Sequence, residues 1–264
     1  MNNVPIGIID SGSGGLSIWK EIISLLPAES TLYIGDHAYL PYSEKSTIFI
    51  RHRVAKLIEF LIKKHVKLIV IACNTATVAG IDWYRLQFPT VPIIGVVPVV
   101  KTAAAMTKTN TMCILSTKYT AKSMYQKKLI KQFASHATVI AIGSSRLVKY
   151  IESTEDTRME IIKELQVILK PILHSNIDVL VLGCTHFPFI QEEIRQVIGA
   201  RIAILDSGPA VARQVKRILE NNNDITHTLN ASHVLYTTGD TKDVSAIYKK
   251  LLNYVVVVLT APIA

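Results

Sequence analysis

Two aliphatic runs in this sequence end in the same way. LIVIACNTAT carries Cys73 and VLVLGCTHFP carries Cys184. A near-continuous run of Ile, Val and Leu lacks both the alternation of a half-wet strand and the period of a surface helix. It reads as a short parallel strand covered on both faces. In open parallel sheets, ligands gather at the carboxyl ends of the strands. Both cysteines stand at such ends, each followed at once by small polar residues, 111 residues apart (184 − 73 = 111). If the two halves of the chain face each other, two thiols reach one substrate from opposite sides. Moving a proton from one face of a carbon to the other is the leading chemistry that needs this.

The remaining pattern supports a duplicated α/β chain. Strands are predicted over 6–9, 31–34, 68–72 and 91–96, with helices over 16–25 and 47–65. The alternation then restarts, with strands over 112–115, 138–142 and 179–182 and helices over 121–133 and 160–173. Asp10 and Thr117 end corresponding lead strands. The fold class expected is α/β, as two similar units with mainly parallel central sheets and a cleft between them. Later strands over 202–205 and 234–237, with a helix over 210–220 between them, read as a return of the chain to complete the first unit.

Composition narrows the class. With 264 residues and 49% hydrophobic content, the chain can build a sizeable core and is not a disordered segment. MNNVPIGIID has neither a charged n-region nor a long apolar stretch, so no signal peptide is expected. The most apolar tail, VVVVL at 255–259, is far shorter than the ~20 residues that span a bilayer. A cytoplasmic protein without a membrane partner is expected. Three cysteines without close spacing, Cys73, Cys113 and Cys184, argue against a disulfide framework or a metal cage. Cys113, inside TMCILS, reads as plain core. The net charge of +9 is carried by lysines scattered along helices with no aromatic platform. That is a solvated surface rather than a nucleic-acid interface, and it helps attract an acidic small molecule.

DSGSGG at 10–15 is a glycine-rich strand-to-helix turn. A dinucleotide fingerprint would need glycine where Ser17 stands, and no G-K-[ST] occurs anywhere. An anion cradle suited to a carboxylate remains, beside the plainer reading of a tight turn. GDHAYLPYSEKS, at 35–46, reads as a surface loop from which Pro41 and Tyr42 could line a pocket. A lone buried cysteine is usually an inert small hydrophobe. Two at equivalent strand ends weigh against that, since a thiolate is a competent base. His186, two residues after Cys184, can tune that thiol. Asp10, at a neighbouring strand end, can do the same for Cys73.

Together, IGIIDSGSGGLS, YIGD…PYSEKS, VIACNTAT, PIIGVVP, LSTKYTAKSMY, LVLGCTHFP and LDSG, in this order over nearly the whole chain, resemble the glutamate racemases. These are cofactor-independent enzymes of the aspartate/glutamate racemase superfamily. The resemblance implies a first α/β domain of residues 1–97 plus 208–264 and a second, inserted one of 98–207. It implies that Cys73 takes the α-proton from D-glutamate and Cys184 from L-glutamate, with Asp10 and His186 assisting. It places the auxiliary acids Asp36 and Glu152 at or near the site. It also places Ser11, Tyr42, Asn74, Thr75, Thr117, Thr120 and Thr185 on the substrate. D-glutamate for peptidoglycan synthesis, a homodimer and a contact with DNA gyrase are further implications. Two departures stand out. Ser43 replaces the glycine usual after Pro-Tyr, and AIGSSRLVKYIE lacks the cysteine–proline pair common before Glu152.

Three rivals remain at this level. An aspartate racemase on the same scaffold fits the residues equally. A regulatory binding protein would make the cysteines dispensable. A Cys–His hydrolase on Cys184 and His186 would leave Cys73 without a role.

Overall fold

The computed structural model describes residues 4–227 and 230–263. Along the chain, β1 (Ile6–Asp10) leads to α1 (Leu16–Leu25), β2 (Thr31–Gly35) to α2 (Thr47–Lys63), and β3 (Leu68–Ile71) to α3 (Asn74–Gln87). After β4 (Ile93–Gly95) and α4 (Val100–Met106) come β5 (Thr111–Ser116), α5 (Lys118–Lys122), α6 (Met124–Phe133), β6 (Thr138–Gly143), α7 (Arg146–Ile151) and α8 (Arg158–Leu173). The chain closes with β7 (Val179–Gly183), α9 (Gln191–Ile198), β8 (Ala203–Leu205), α10 (Gly208–Asn221), β9 (His233–Thr237), α11 (Thr241–Leu252) and β10 (Val258–Thr260).

The strands form a six-stranded sheet in the order β10-β9-β2-β1-β3-β4 and a four-stranded sheet in the order β6-β5-β7-β8. Every pairing among them is parallel. The order 2-1-3-4 of the first sheet recurs as 6-5-7-8 in the second, which makes β3 and β7 counterparts. Alternate side chains serve opposite faces of a strand, and each sheet is covered on both. Leu68 and Val70 of β3 pack with Ile18, Trp19 and Ile22 of α1 and with Val215 and Leu219 of α10. Ile69 and Ile71 pack with Val54, Leu57 and Leu61 of α2. In the second sheet, Leu180 and Leu182 of β7 meet α8 and α9, while Val179 and Val181 meet α4. This two-sided burial is what the unbroken aliphatic runs encode.

Three sequence expectations change. The strand predicted over 202–205 does not return to the first unit, because β8 pairs with β7; only β9 and β10 join the first sheet. The helix predicted over 121–133 is two helices. Ser123 sits between them in an extended conformation, and its hydroxyl accepts from the Gln126 N–H to start α6. The helix α3 directly after Cys73 went unread, because Asn74, Thr75 and Thr77 lower local helix propensity. Among the described residues, no helix is long and apolar enough to cross a membrane.

Candidate active site

Because β3 and β7 end in equivalent places, their next residues converge on one cavity. Ser11, Pro41, Tyr42, Ser43, Cys73, Asn74 and Thr75 line it from the first sheet's side; Thr117, Val148, Cys184, Thr185 and His186 line it from the second's. About 280 Å³ of space around these residues is not filled by protein atoms, part of it open solvent. Both sulfurs face the cavity, and both cysteines are free and buried. Cys113 is also a free thiol, but it belongs to the core between β5 and α8 and stands outside the cavity.

The two thiols have different surroundings. Cys73 caps α3, its Sγ 3.5 Å from the Ala76 N–H that donates to it. The Ser11 hydroxyl lies 3.4 Å from the same sulfur. Burial, and after it the charge of Asp10, push the Cys73 thiol up to about 12, against the pull of those two hydrogen bonds. Cys184 faces an imidazole instead, with His186 Nδ1 3.7 Å from its sulfur. Burial alone would push His186 down. Its hydrogen bonds to Cys184 and to Glu152 outweigh burial and hold it well above the ordinary histidine range. Both ring nitrogens of His186 are engaged, and the cationic form is favoured.

Glu152 anchors that cation. Its Oε1 is 2.6 Å from His186 Nε2, and Oε1 also accepts from the Ser13 N–H at 2.5 Å. Its Oε2 accepts from the Ser13 hydroxyl at 2.7 Å. Burial acts to raise Glu152, but the bonds and charge of His186, with His37 and Ser13 behind them, lower it to about 2. Glu152 thus acts behind His186 rather than in the cavity wall. Ser13, within the glycine-rich turn, is the group that holds it, a role the sequence reading missed.

Asp10 is not hydrogen-bonded to Cys73. Its carboxylate accepts from the Gly12 N–H at 2.8 Å and, across the cavity, from the Thr185 hydroxyl at 3.2 Å. Burial raises its pKa, with the His186 charge opposing. It therefore acts on Cys73 through charge and on the Cys184 side through contact.

Asp36 lies outside the wall. Arg53 holds it through an ion pair of 2.8 Å, and Asp36 accepts from the Tyr42 hydroxyl at 2.6 Å. It fixes the ring that does line the cavity. Nothing in the sequence singled out Arg53, a cation in an amphipathic helix that ends up buried. Thr75 and Thr117 meet across the cavity with hydroxyls 3.0 Å apart. Thr120 stands one bond behind, its oxygen 3.1 Å from that of Thr117. Asn74 donates toward the Val96 carbonyl at 3.5 Å.

The site is built to receive anionic groups. The first turn of α3 begins in its wall, where helix N–H groups lack intrahelical acceptors and favour negative charge. Hydroxyls of Ser11, Thr75, Thr117 and Thr185 stand around the two sulfurs. Among the described residues, no three His, Cys, Asp or Glu side chains are grouped to hold a metal ion.

The family profile for Asp/Glu/Hydantoin racemase matches residues 6–215. The chain belongs to this racemase family. A glutamate racemase of Pseudomonas paraeruginosa is 42% identical over 217 residues, 82% of this chain and 82% of that relative. The crystal structure of a Bacillus anthracis glutamate racemase superposes with a TM-score of 0.90 at 30% identity, covering 99% of both chains. The Escherichia coli glutamate racemase, solved with L-glutamate and an activator, UDP-MurNAc-Ala, gives 0.86 at 33% identity and 97% of both chains. The chain is an amino-acid racemase, an isomerase.

Proposed function

We propose that this racemase interconverts L- and D-glutamate by a two-base mechanism with Cys73 and Cys184 as the bases, and that its D-glutamate supplies peptidoglycan synthesis. The observation that carries the mechanism is the asymmetry between two thiols on one cavity. Racemisation by two bases needs one sulfur to accept the α-proton while the other already holds one to give. Burial and the charge of Asp10 keep Cys73 a thiol at pH 7. Cys184 lies 3.7 Å from His186 Nδ1, whose favoured cationic form stabilises negative charge as it develops on a sulfur. In the L-to-D direction Cys184 takes the proton of L-glutamate while Cys73 delivers one to the opposite face. D-glutamate uses the reverse assignment.

Positioned proton transfer contributes roughly 10²- to 10⁴-fold. The α-proton of an amino acid is only weakly acidic, so electrostatic stabilisation in a dry site must add to this. The α3 N-terminus and the surrounding hydroxyls are the groups that hold the substrate carboxylates. Asp10, bonded to Thr185 and not to Cys73, acts by its charge, which raises the proton affinity of Cys73. Glutamate is favoured over aspartate by the relatives named above.

The test is α-deuterium uptake from D₂O by L- and D-glutamate and by both aspartates, followed by mass spectrometry, with optical rotation recorded in parallel. Exchange with inversion is expected for glutamate and should be lost in Cys73→Ser and in Cys184→Ser. Brisk exchange with aspartate alone would make the enzyme an aspartate racemase. Exchange with neither would leave a binding role.

A further inference from the structure

Ser43 faces the cavity from a short 3₁₀ turn, Tyr42–Glu44. Its hydroxyl donates to Ser145 Oγ at 3.0 Å. One residue on, Glu44 Oε1 lies 2.7 Å from Lys149 Nζ. Ser145 precedes α7 and Lys149 lies in its last turn, while Val148 of the same helix reaches the cavity wall. Both contacts therefore run from the loop after β2, over the cavity, to the segment after β6.

The cavity beneath them is nearly closed, with only Pro41 and Ser43 partly exposed. Cys73, at 6%, is the most exposed of its buried walls, and His186 is 2% exposed. A dicarboxylate cannot reach either sulfur unless the walls part. Elsewhere the two sides are also joined at the Thr47–Tyr119 hydroxyl pair and by Lys250 to the Ser153 carbonyl, but the contacts that resist parting lie on the glycine-rich turn. The Ser17 hydroxyl donates to the Thr185 carbonyl at 2.8 Å, Thr185 donates to Asp10, and Ser13 holds Glu152. Separating these would strand buried charge away from its partners. The Glu44–Lys149 pair is about half exposed, at 48% and 53%. Such a pair is screened by solvent and breaks readily.

Taking the cavity to be the substrate site, as proposed above, we propose that the Ser43–Ser145 hydroxyl pair and the Glu44–Lys149 ion pair form a latch over it. Substrate and product pass through this edge, while the glycine-rich turn with Thr185 and Glu152 acts as the pivot. Ser43 is a positioning residue: its side chain, absent in a glycine, sets how often the cavity opens.

Opening is read by alkylation of the full-length protein with iodoacetamide, each cysteine followed by peptide mass spectrometry. One neutral hydrogen bond contributes a factor of about two to twelve in an opening equilibrium. Ser43→Ala should therefore speed labelling of Cys73 and Cys184 by that factor and by the same factor for both. Cys113, in the core, reports global unfolding and should not change. Ser145→Ala should match Ser43→Ala, and the double variant should exceed neither. Lys149→Met should speed labelling at low salt and remove its salt dependence. Unchanged labelling of the two site cysteines overturns the latch. So does an equal rise at all three cysteines, which would mean general loosening, or an unequal rise at the two, which would mean altered thiol chemistry. Labelling needs no turnover, so failure of the racemase reading shows separately, as absent α-proton exchange in the wild type.

Discussion

Replacing Glu152 with Gln tests whether charge behind His186 drives the Cys184 side. The substitution keeps the shape of the side chain and removes its charge. Glu152 is lowered from an ordinary 4.5 to about 2 in the folded protein. At ~1.4 kcal/mol per pH unit, the ionised form contributes on the order of 3 kcal/mol to folding. Because the folded value is depressed, that contribution is complete above pH ~4.5 and is lost as pH falls toward 2. The variant lacks the titration, so its stability deficit in urea melts should be about 3 kcal/mol at pH 7 and should shrink across that window. A deficit constant with pH would mean lost packing rather than lost charge, and would refute the reasoning. The same change removes the Glu152 bond and charge that help hold His186 cationic, leaving the Cys184 contact alone to oppose burial. The charge facing Cys184 is then weakened, and kcat/KM should fall about 10²-fold, at the low end of what a positioned proton-transfer group supplies. Enantiomers have equal free energy, so the loss must be the same for L- and D-glutamate. Wild-type kinetics in Glu152→Gln would remove Glu152 from the mechanism.

Other changes address neighbouring features. In Gly14→Ala, the added Cβ would collide with the His186 ring, so the imidazole must leave Cys184; racemisation should fall by about two orders of magnitude while circular dichroism stays native. Arg53→Met strands the buried Asp36 carboxylate and should cost about 3–5 kcal/mol of stability, measured by chemical denaturation. Cys113→Ala removes only a core thiol and should keep wild-type kcat/KM in the racemase assay, with a melting-temperature loss matching about 1–2 kcal/mol.

The buried parallel strands were legible because burial on two faces leaves an unbroken aliphatic signature, as in LIVI and VLVL. Their carboxyl ends were legible for the same reason, so Cys73 and Cys184 emerged as a pair. The short elements were not. The helix α3 opens with Asn74 and Thr75, whose side chains serve the cavity rather than the helix, and β8 has only three residues, too few for a pattern to assign it to a sheet. The partners of the site residues were hidden for a different reason. Glu152 lies 139 residues from Ser13, and Arg53, on the buried stripe of α2 with Ile50 and Leu57, meets Asp36 with no local sign of that partner. Nothing local signals a contact that only the packed sheets create.

For this protein, then, the order of residues determined the strand cores, the duplicated plan and the identity of the two thiols, because these depend on hydrophobic period and on neighbours in sequence. Tertiary structure decided how the thiols differ. Cys73 is buried beside a carboxylate and Cys184 beside an imidazole that Glu152 holds in place. Proton affinity depends on burial and on charges a few ångströms away, and residues far apart in the chain supply both. Tertiary structure also gave Ser43 its partner, Ser145, on the far side of the cavity.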